Sequence, residues 1–317
     1  MSAAATSAEP GRVAFFAQTT RARVLPVMMV PVLIGTALAW DQRQVFNIGF
    51  FLLAFVGALA AHLGSNVIND VFDFQSGADQ KAATLDTGEE KQTIPTCSVN
   101  LLTGKLTLRQ YWTLAATLFA VALACGLVLT IWRPWTLAFA VGGFLLAFFY
   151  VAPPVRLAYV GRGAGEVDIV LAFGVLPLVG AFYVQAGTVT WQALAVSLAV
   201  GLYTMTVLYF HHFLHWRADR AVGKMSPVAA LGEERAKVVG FLLLALVALA
   251  ILVDSIVGAL PWYAALAALT VLLPVNALRQ TDGSLPGYLR VMAQLMNGNL
   301  LAALVMLVAI IVQGIIR

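Results

Sequence analysis

Charge is scarce in this chain. Only 11% of its 317 residues are Asp, Glu, Lys or Arg, while 61% are apolar, and the mean hydropathy is +0.88. A soluble domain carries about 25% charged and about 45–50% apolar residues, so an ordinary water-soluble fold is excluded, as are a disordered chain and a collagen-like fibre. Cysteine is nearly absent: Cys97 and Cys125 are too few for a disulfide framework or a cysteine-based zinc cluster. Cys125 lies within an apolar run and reads as a small buried hydrophobe. Residues 1–23 contain no apolar core and no small-residue cleavage site, so no removable signal peptide is expected. The glycine fingerprint of dinucleotide folds, the phosphate-loop lysine and the Gly-x-Ser-x-Gly elbow are missing. The formal charge of +4 is too small to suggest a nucleic-acid partner.

What the chain has is long apolar runs. A span needs about 20 apolar residues, fewer where flanking side chains snorkel. Nine stretches qualify: Val24–Trp40, Phe46–Asn66, Tyr111–Trp132, Trp135–Tyr150, Val167–Ala186, Trp191–Leu214, Val238–Val253, Ala259–Leu278 and Val291–Ile316. They are continuous rather than alternating, which argues against barrel strands. The seven Trp residues fall at or near the expected span ends, as an aromatic belt requires. With the N-terminus inside, only Arg43, Arg133 and Arg317 among the 19 basic residues lie on the outer side. This bias favours nine spans with a cytoplasmic N-terminus. The expected fold is an all-α polytopic membrane helical bundle of about nine transmembrane helices. It forms one membrane-embedded domain, 1–317, with 1–23 as an N-terminal cytoplasmic segment. The acidic residues are sorted too, with only Asp41 and Asp254 outside. Two inner loops are long, roughly 75–110 and 215–237, and follow spans 2 and 6. That spacing suggests a four-span internal repeat with working loops at equivalent corners.

Three inner corners carry the chemistry. At the end of span 2, His62, Asn66, Asn69 and Asp73 recur at helical spacing and form one polar stripe. Asp70 sits beside it, and Asp79 follows Gly77. Amides and carboxylates in an apolar span mark a pathway or a site. This oxygen-rich set suits Mg2+, which keeps waters and shares phosphate oxygens. The bland alternative is a helix end meeting water. At the end of span 6, His211, His215 and Asp219 recur at intervals of four, able to grip a metal or a diphosphate. Arg217, Arg220 and Lys224 follow to neutralise phosphate charge. Histidine suits Zn, Mn or Fe better than Mg, and an interfacial hydrogen-bonding or base role competes. The third corner, between spans 4 and 5, holds Tyr150, Pro153-Pro154, Arg156, Arg162, Glu166 and Asp168. For Glu166 and Asp168 a helix-capping role competes with a functional one.

Asn69-Asp70-x-x-Asp73-x-x-x-Gly77-x-Asp79 resembles the first aspartate motif of the UbiA-type intramembrane aromatic prenyltransferases. The stretch 150–185, with Pro-Pro-x-Arg, Gly165-Glu166 and Phe173-Gly174, looks like the branch that prenylates 1,4-dihydroxy-2-naphthoate for menaquinone. So does Asp219-Arg220-x-Val-Gly223-Lys224 followed by Leu231-Gly232. The resemblance implies nine helices around a central cavity with a lateral opening. It also implies Mg2+-dependent transfer of a polyprenyl group from its diphosphate to an aromatic ring, with Mn2+ as the alternative ion. It assigns Asn69, Asp73 and Asp79 to one metal–diphosphate unit, with Asp70 as a further ligand, and Asp219 with His215 to the second. Arg156, Lys224, Lys91 and Arg162 would bind the leaving diphosphate, and Tyr150 would face the prenyl cation. A base would come from His62, His211, His212 or His215. The family's naphthoate branch usually carries Asn, Asn and Asp where this chain has His211, His212 and His215. The partners implied are polyprenyl diphosphate, an aromatic acceptor and membrane lipid. The location implied is the bacterial inner (cytoplasmic) membrane, with the site loops cytoplasmic. A terpene cyclase or a transferase to a non-quinone acceptor is the alternative within the family. A transporter or a non-catalytic lipid-binding relative are those outside it.

Overall fold

A computed structural model describes residues 11–77, 79–80, 98–221 and 223–317. Among the described residues all regular structure is helical. All nine expected spans are helices. We number them α1 (Ala22–Arg43), α2 (Ile48–Gln75), α3 (Leu108–Thr130), α4 (Thr136–Phe149), α5 (Ala164–Ala186), α6 (Trp191–Ala221), α7 (Glu233–Ile256), α8 (Trp262–Arg279) and α9 (Leu285–Ile316). Eight are long and apolar enough to cross a bilayer, and α4 is the shorter one. The expected boundaries fell inside most of the helices. Hydropathy stops at the first polar residue, whereas the backbone continues to its cap. Thr107 and Gln110 form a capping box at α3, and Asn47 and Ser284 cap α2 and α9 through their side-chain oxygens, satisfying amides that hydrocarbon would leave bare.

Each helix packs against the next, and α9 returns onto α1, so the nine form a closed ring. The outward surface is apolar, as in Leu242, Leu246, Leu249 and Val253 of α7. Lipid is the solvent this surface matches; the chain is an integral, multi-pass membrane protein. On the side of the short connections, Arg133 donates to the Val184 and Gln185 carbonyls at 2.9 and 3.1 Å. Gln185 in turn bonds the backbone of Asn47, which ties three connections together.

Between apolar helices in lipid, close packing replaces the hydrophobic drive, so small residues mark the tightest crossings. A Cβ on Gly201 of α6 would lie 2.6 Å from the Val170 carbonyl oxygen of α5. Gly174 of α5 meets the Gly201 backbone from the other side. Just there α5 winds as a π-turn over Leu171–Val175. Pro177 has no amide hydrogen to give the preceding turn, and the helix adjusts its pitch around that gap. Gly201→Leu should therefore lower the apparent melting temperature of the detergent-solubilised protein, consistent with an overpacking cost of about 1–3 kcal/mol. An unchanged melting temperature would contradict so close an α5–α6 approach.

Candidate active site

A cavity of about 1100 Å3 occupies the ring, walled by α1 to α6 and α9. Toward the short connections its lining is apolar, reaching Leu129 of α3 and Leu137 of α4. At the opposite mouth the lining turns polar, and the expected corners meet there.

The stripe of α2 faces this space: His62, Asn66, Asn69 and Asp73 all line it, and Asp79 joins them. From α6 come His211, His212, His215 and Asp219, with Lys224 from the turn that follows. Gly223, at φ +77°, lets the chain reverse after α6. The Lys224 amide then bonds the Asp219 carbonyl at 2.9 Å, which returns the lysine side chain over the mouth. Its Nζ lies 3.7 Å from Asp73 Oδ2 and 3.9 Å from Asp219 Oδ1. Two carboxylates nearly 150 residues apart thus share one ammonium. The buried Asp219 carboxylate has Lys224 and His212 beside it. Burial would lower the Lys224 ammonium, yet Asp73 and Asp219 hold it above its ordinary value. Each charge is retained because of the other.

Tyr159, unassigned from the sequence, donates its hydroxyl to Asp73 Oδ1 at 2.9 Å. Burial, and then the charge of Asp73, push its phenol up to about 12, so it remains a donor. The Arg156 guanidinium lies over this ring, 5.3 Å from its centroid, and is not on the cavity wall. Arg162 is exposed and away from the wall. Lys91 falls outside the described residues. Tyr150 lines the cavity. Asp70 leaves the stripe: it is paired with Arg21, a cation placed before the first span in a left-handed backbone conformation. Arg21 and Arg23 line the mouth as well. Cationic residues preceding span 1 were visible in the sequence, but nothing there marked them as inward-facing.

At span 6 the spacing of four singled out His211, His215 and Asp219. The structure puts His212 against the carboxylate, its Nδ1 3.8 Å from Asp219 Oδ2 and its Nε2 3.6 Å from Glu166. Glu166 stands in the first turn of α5, where a helix N-terminus favours a carboxylate, and is also part of an ion-pair chain from α5 to α6. His211 and His215 lie side by side in the cavity, centroids 4.9 Å apart and ring planes tilted by 47°. Asp79 is buried and accepts a hydrogen bond from Ser98. Burial and the nearby Asp73 raise its carboxyl.

The donors fit a hard divalent cation. Asp73, Asp79 and Asp219 offer oxygens, and the buried Oδ1 of Asn69 has no partner among the described residues while its amide nitrogen leans on Asp73 at 3.4 Å. Among those residues no three His, Cys, Asp or Glu side chains close around one point. An ion here would be held by one or two carboxylates and complete its shell with water and ligand oxygens, as Mg2+ does.

Fold and site together define a polytopic helical membrane protein whose apolar chamber opens on a mouth of paired carboxylates and cations. Residues 28–285 match the UbiA prenyltransferase family, and the chain belongs to that family. It is 32% identical over 211 residues to the 2-carboxy-1,4-naphthoquinone phytyltransferase of Synechocystis, a stretch covering 66% of this chain and 63% of that protein. It is 30% identical over 245 residues to the 1,4-dihydroxy-2-naphthoate octaprenyltransferase of Mycobacterium tuberculosis, covering 76% and 77% of the two. The chain thus spans a little under two thirds of the cyanobacterial relative. In fold it is similar to a UbiA homolog from Archaeoglobus fulgidus bound to GPP and Mg2+. That match has a TM-score of 0.66 at 17% identity and covers 91% of this chain and 99% of the other.

Replacing Lys224 by Met leaves Asp73 and Asp219 facing each other without a counter-charge, the costly way to break a buried pair. Lys224→Met should melt lower than the parent in chelator-treated detergent, and millimolar Mg2+ should raise its melting temperature more than the parent's. Equal Mg2+ shifts in both proteins would contradict a shared cation site at Asp73 and Asp219.

Proposed function

We propose that this chain is a Mg2+-dependent intramembrane transferase. It moves a polyprenyl group from its diphosphate to an aromatic acceptor of the 1,4-dihydroxy-2-naphthoate kind. The observation that carries this reading is the Lys224 ammonium set between Asp73 and Asp219 at the polar mouth of an apolar chamber. A prenyl diphosphate needs such a gradient, with anion-handling groups at one end and a greasy slot at the other.

Mg2+ would be held at two places, by Asn69, Asp73 and Asp79 at one corner and by Asp219 with His215 at the other. When bound, it supplies positive charge for the diphosphate oxygens. Lys224 receives the leaving diphosphate, with Arg156 over the Tyr159 ring adding positive charge; Arg162 and Lys91 are the further candidates. Tyr159 keeps Asp73 in place through its hydroxyl. The allylic C–O bond breaks with its electron pair passing to the diphosphate oxygen. The ring carbon of the acceptor then forms the C–C bond, and the ring loses a proton or its carboxylate as carbon dioxide. Fixed charges stabilise the departing anion without reorganisation. Tyr150, Phe119 and Phe173 on the wall offer aromatic faces to the prenyl cation and keep water away from it. The mouth and the N-terminus lie on the cytoplasmic side of a bacterial inner membrane, on the lysine and arginine bias of the loops.

The test assays the purified chain in lipid nanodiscs with 1,4-dihydroxy-2-naphthoate and with 4-hydroxybenzoate, against prenyl diphosphates of several lengths and with Mg2+ varied. We expect prenylated naphthoate from the parent, and a loss of at least about a hundredfold in Asp73→Asn with its melting temperature retained. Full turnover in Asp73→Asn would overturn the role given to the α2 corner. Cyclised hydrocarbon formed without any acceptor would favour a terpene cyclase instead.

A further inference from the structure

Two polar groups in the chamber serve neither the carboxylate mouth nor the fold. His62, on α2 two turns below Asn69, is only 4% exposed and lines the cavity. Its tautomer follows from its neighbour. The side-chain nitrogen of Asn66 donates to the Thr20 carbonyl at 3.1 Å, which sets the amide's orientation. The same nitrogen lies 3.4 Å from His62 Nε2. An amide nitrogen can only donate, so Nε2 accepts and the ring proton sits on Nδ1. That Nδ1 is buried without a partner among the described residues.

Asp168, on α5, is 3% exposed, lines the same cavity, and its Oδ1 is likewise buried without a partner among the described residues. It lies past the first turn of α5, where the acidic residue is Glu166. The π-turn that follows carries Ala172 and Phe173 onto the same wall, and the Phe173 ring meets His62 edge-on at 5.2 Å. Phe173, from the wall that also bears Asp168, therefore touches the α2 stripe at His62. Leaving both groups bare in an apolar chamber is expensive, and a ligand carrying the complementary groups would satisfy them.

We infer that His62 and Asp168 form the acceptor subsite: His62 Nδ1–H donates to the carboxylate of a hydroxylated aromatic acid, and Asp168 accepts from a ring hydroxyl. This rests on the transferase reading above and names the residues that would select its second substrate. The site takes an aromatic ring with a donor hydroxyl and an acidic group, set against Phe173. It binds a ring lacking either group more weakly, because one buried partner then stays unsatisfied. His62 and Asp168 act on the acceptor alone and leave the diphosphate mouth untouched.

The test uses the full chain in nanodiscs with Mg2+ and a saturating prenyl diphosphate, comparing the parent with Asp168→Asn and His62→Phe. The acceptor KM for 1,4-dihydroxy-2-naphthoate should rise at least tenfold in each variant, with the prenyl diphosphate KM and the melting temperature unchanged. Competition supplies a second readout. 2-Naphthoate, which lacks the hydroxyls, should compete as well against Asp168→Asn as against the parent but lose affinity for His62→Phe. 1,4-Dihydroxynaphthalene, which lacks the carboxylate, should show the reverse. A parent-like acceptor KM in both variants overturns this subsite while leaving the transferase reading standing. Failure of the parent itself to prenylate any aromatic acceptor overturns the transferase reading.

Discussion

Lys224 carries its ammonium into a buried mouth where Asp73 and Asp219 face it from helices four spans apart. Three charges in one small volume of low dielectric are costly unless each compensates another, and here one cation is shared by two anions. The arrangement is locked from outside the trio: Tyr159 donates to Asp73, while the His212–Glu166 chain braces Asp219 from the α5 side. Because the ring of helices closes by α9 returning to α1, the ends of α2 and α6 are held over the same chamber. With Asp79, Arg21 and Arg23 also on the lining, the mouth gathers charges of both signs, which suits a metal ion together with an anionic ligand.

The chamber below the mouth follows from the same economy of polarity. Lipid rewards no polar group, so each one left in the wall is tied to backbone, to another side chain, or awaits a ligand. Asp70 illustrates the second outcome: it abuts the functional stripe in sequence yet is paired with Arg21. His62, Asn69 and Asp168 illustrate the last, each with a buried atom that has no partner among the described residues. Their positions grade the cavity from an anion-handling mouth through a sparsely polar middle to an apolar end.

Much of this was legible in the residues. The nine spans followed from continuous apolar runs because a helix in lipid must be apolar along its length. The α2 stripe was legible because a period near 3.6 places His62, Asn66, Asn69 and Asp73 on one face. Two features were not. His212 also meets Asp219, a contact bridged to Glu166 on another helix and invisible to spacing along α6. Tyr159 and Arg21 reach the site through the turns before α5 and α1, where left-handed backbone at Arg156 and Arg21 re-aims the chain. Periodicity carries no information across such turns. Asp168 looked like a helix-end carboxylate, and only its bare, buried oxygen separates it from a cap.

The central claim is that the α2 and α6 corners act on one ligand. A double-mutant cycle tests it most directly, with equilibrium binding of geranyl diphosphate in Mg2+ measured for the parent, Asp73→Asn, Asp219→Asn and the double variant. The account predicts strong non-additivity, the second substitution costing far less affinity than the first. Fully additive losses would mean that the two carboxylates address separate ligands, and would contradict it.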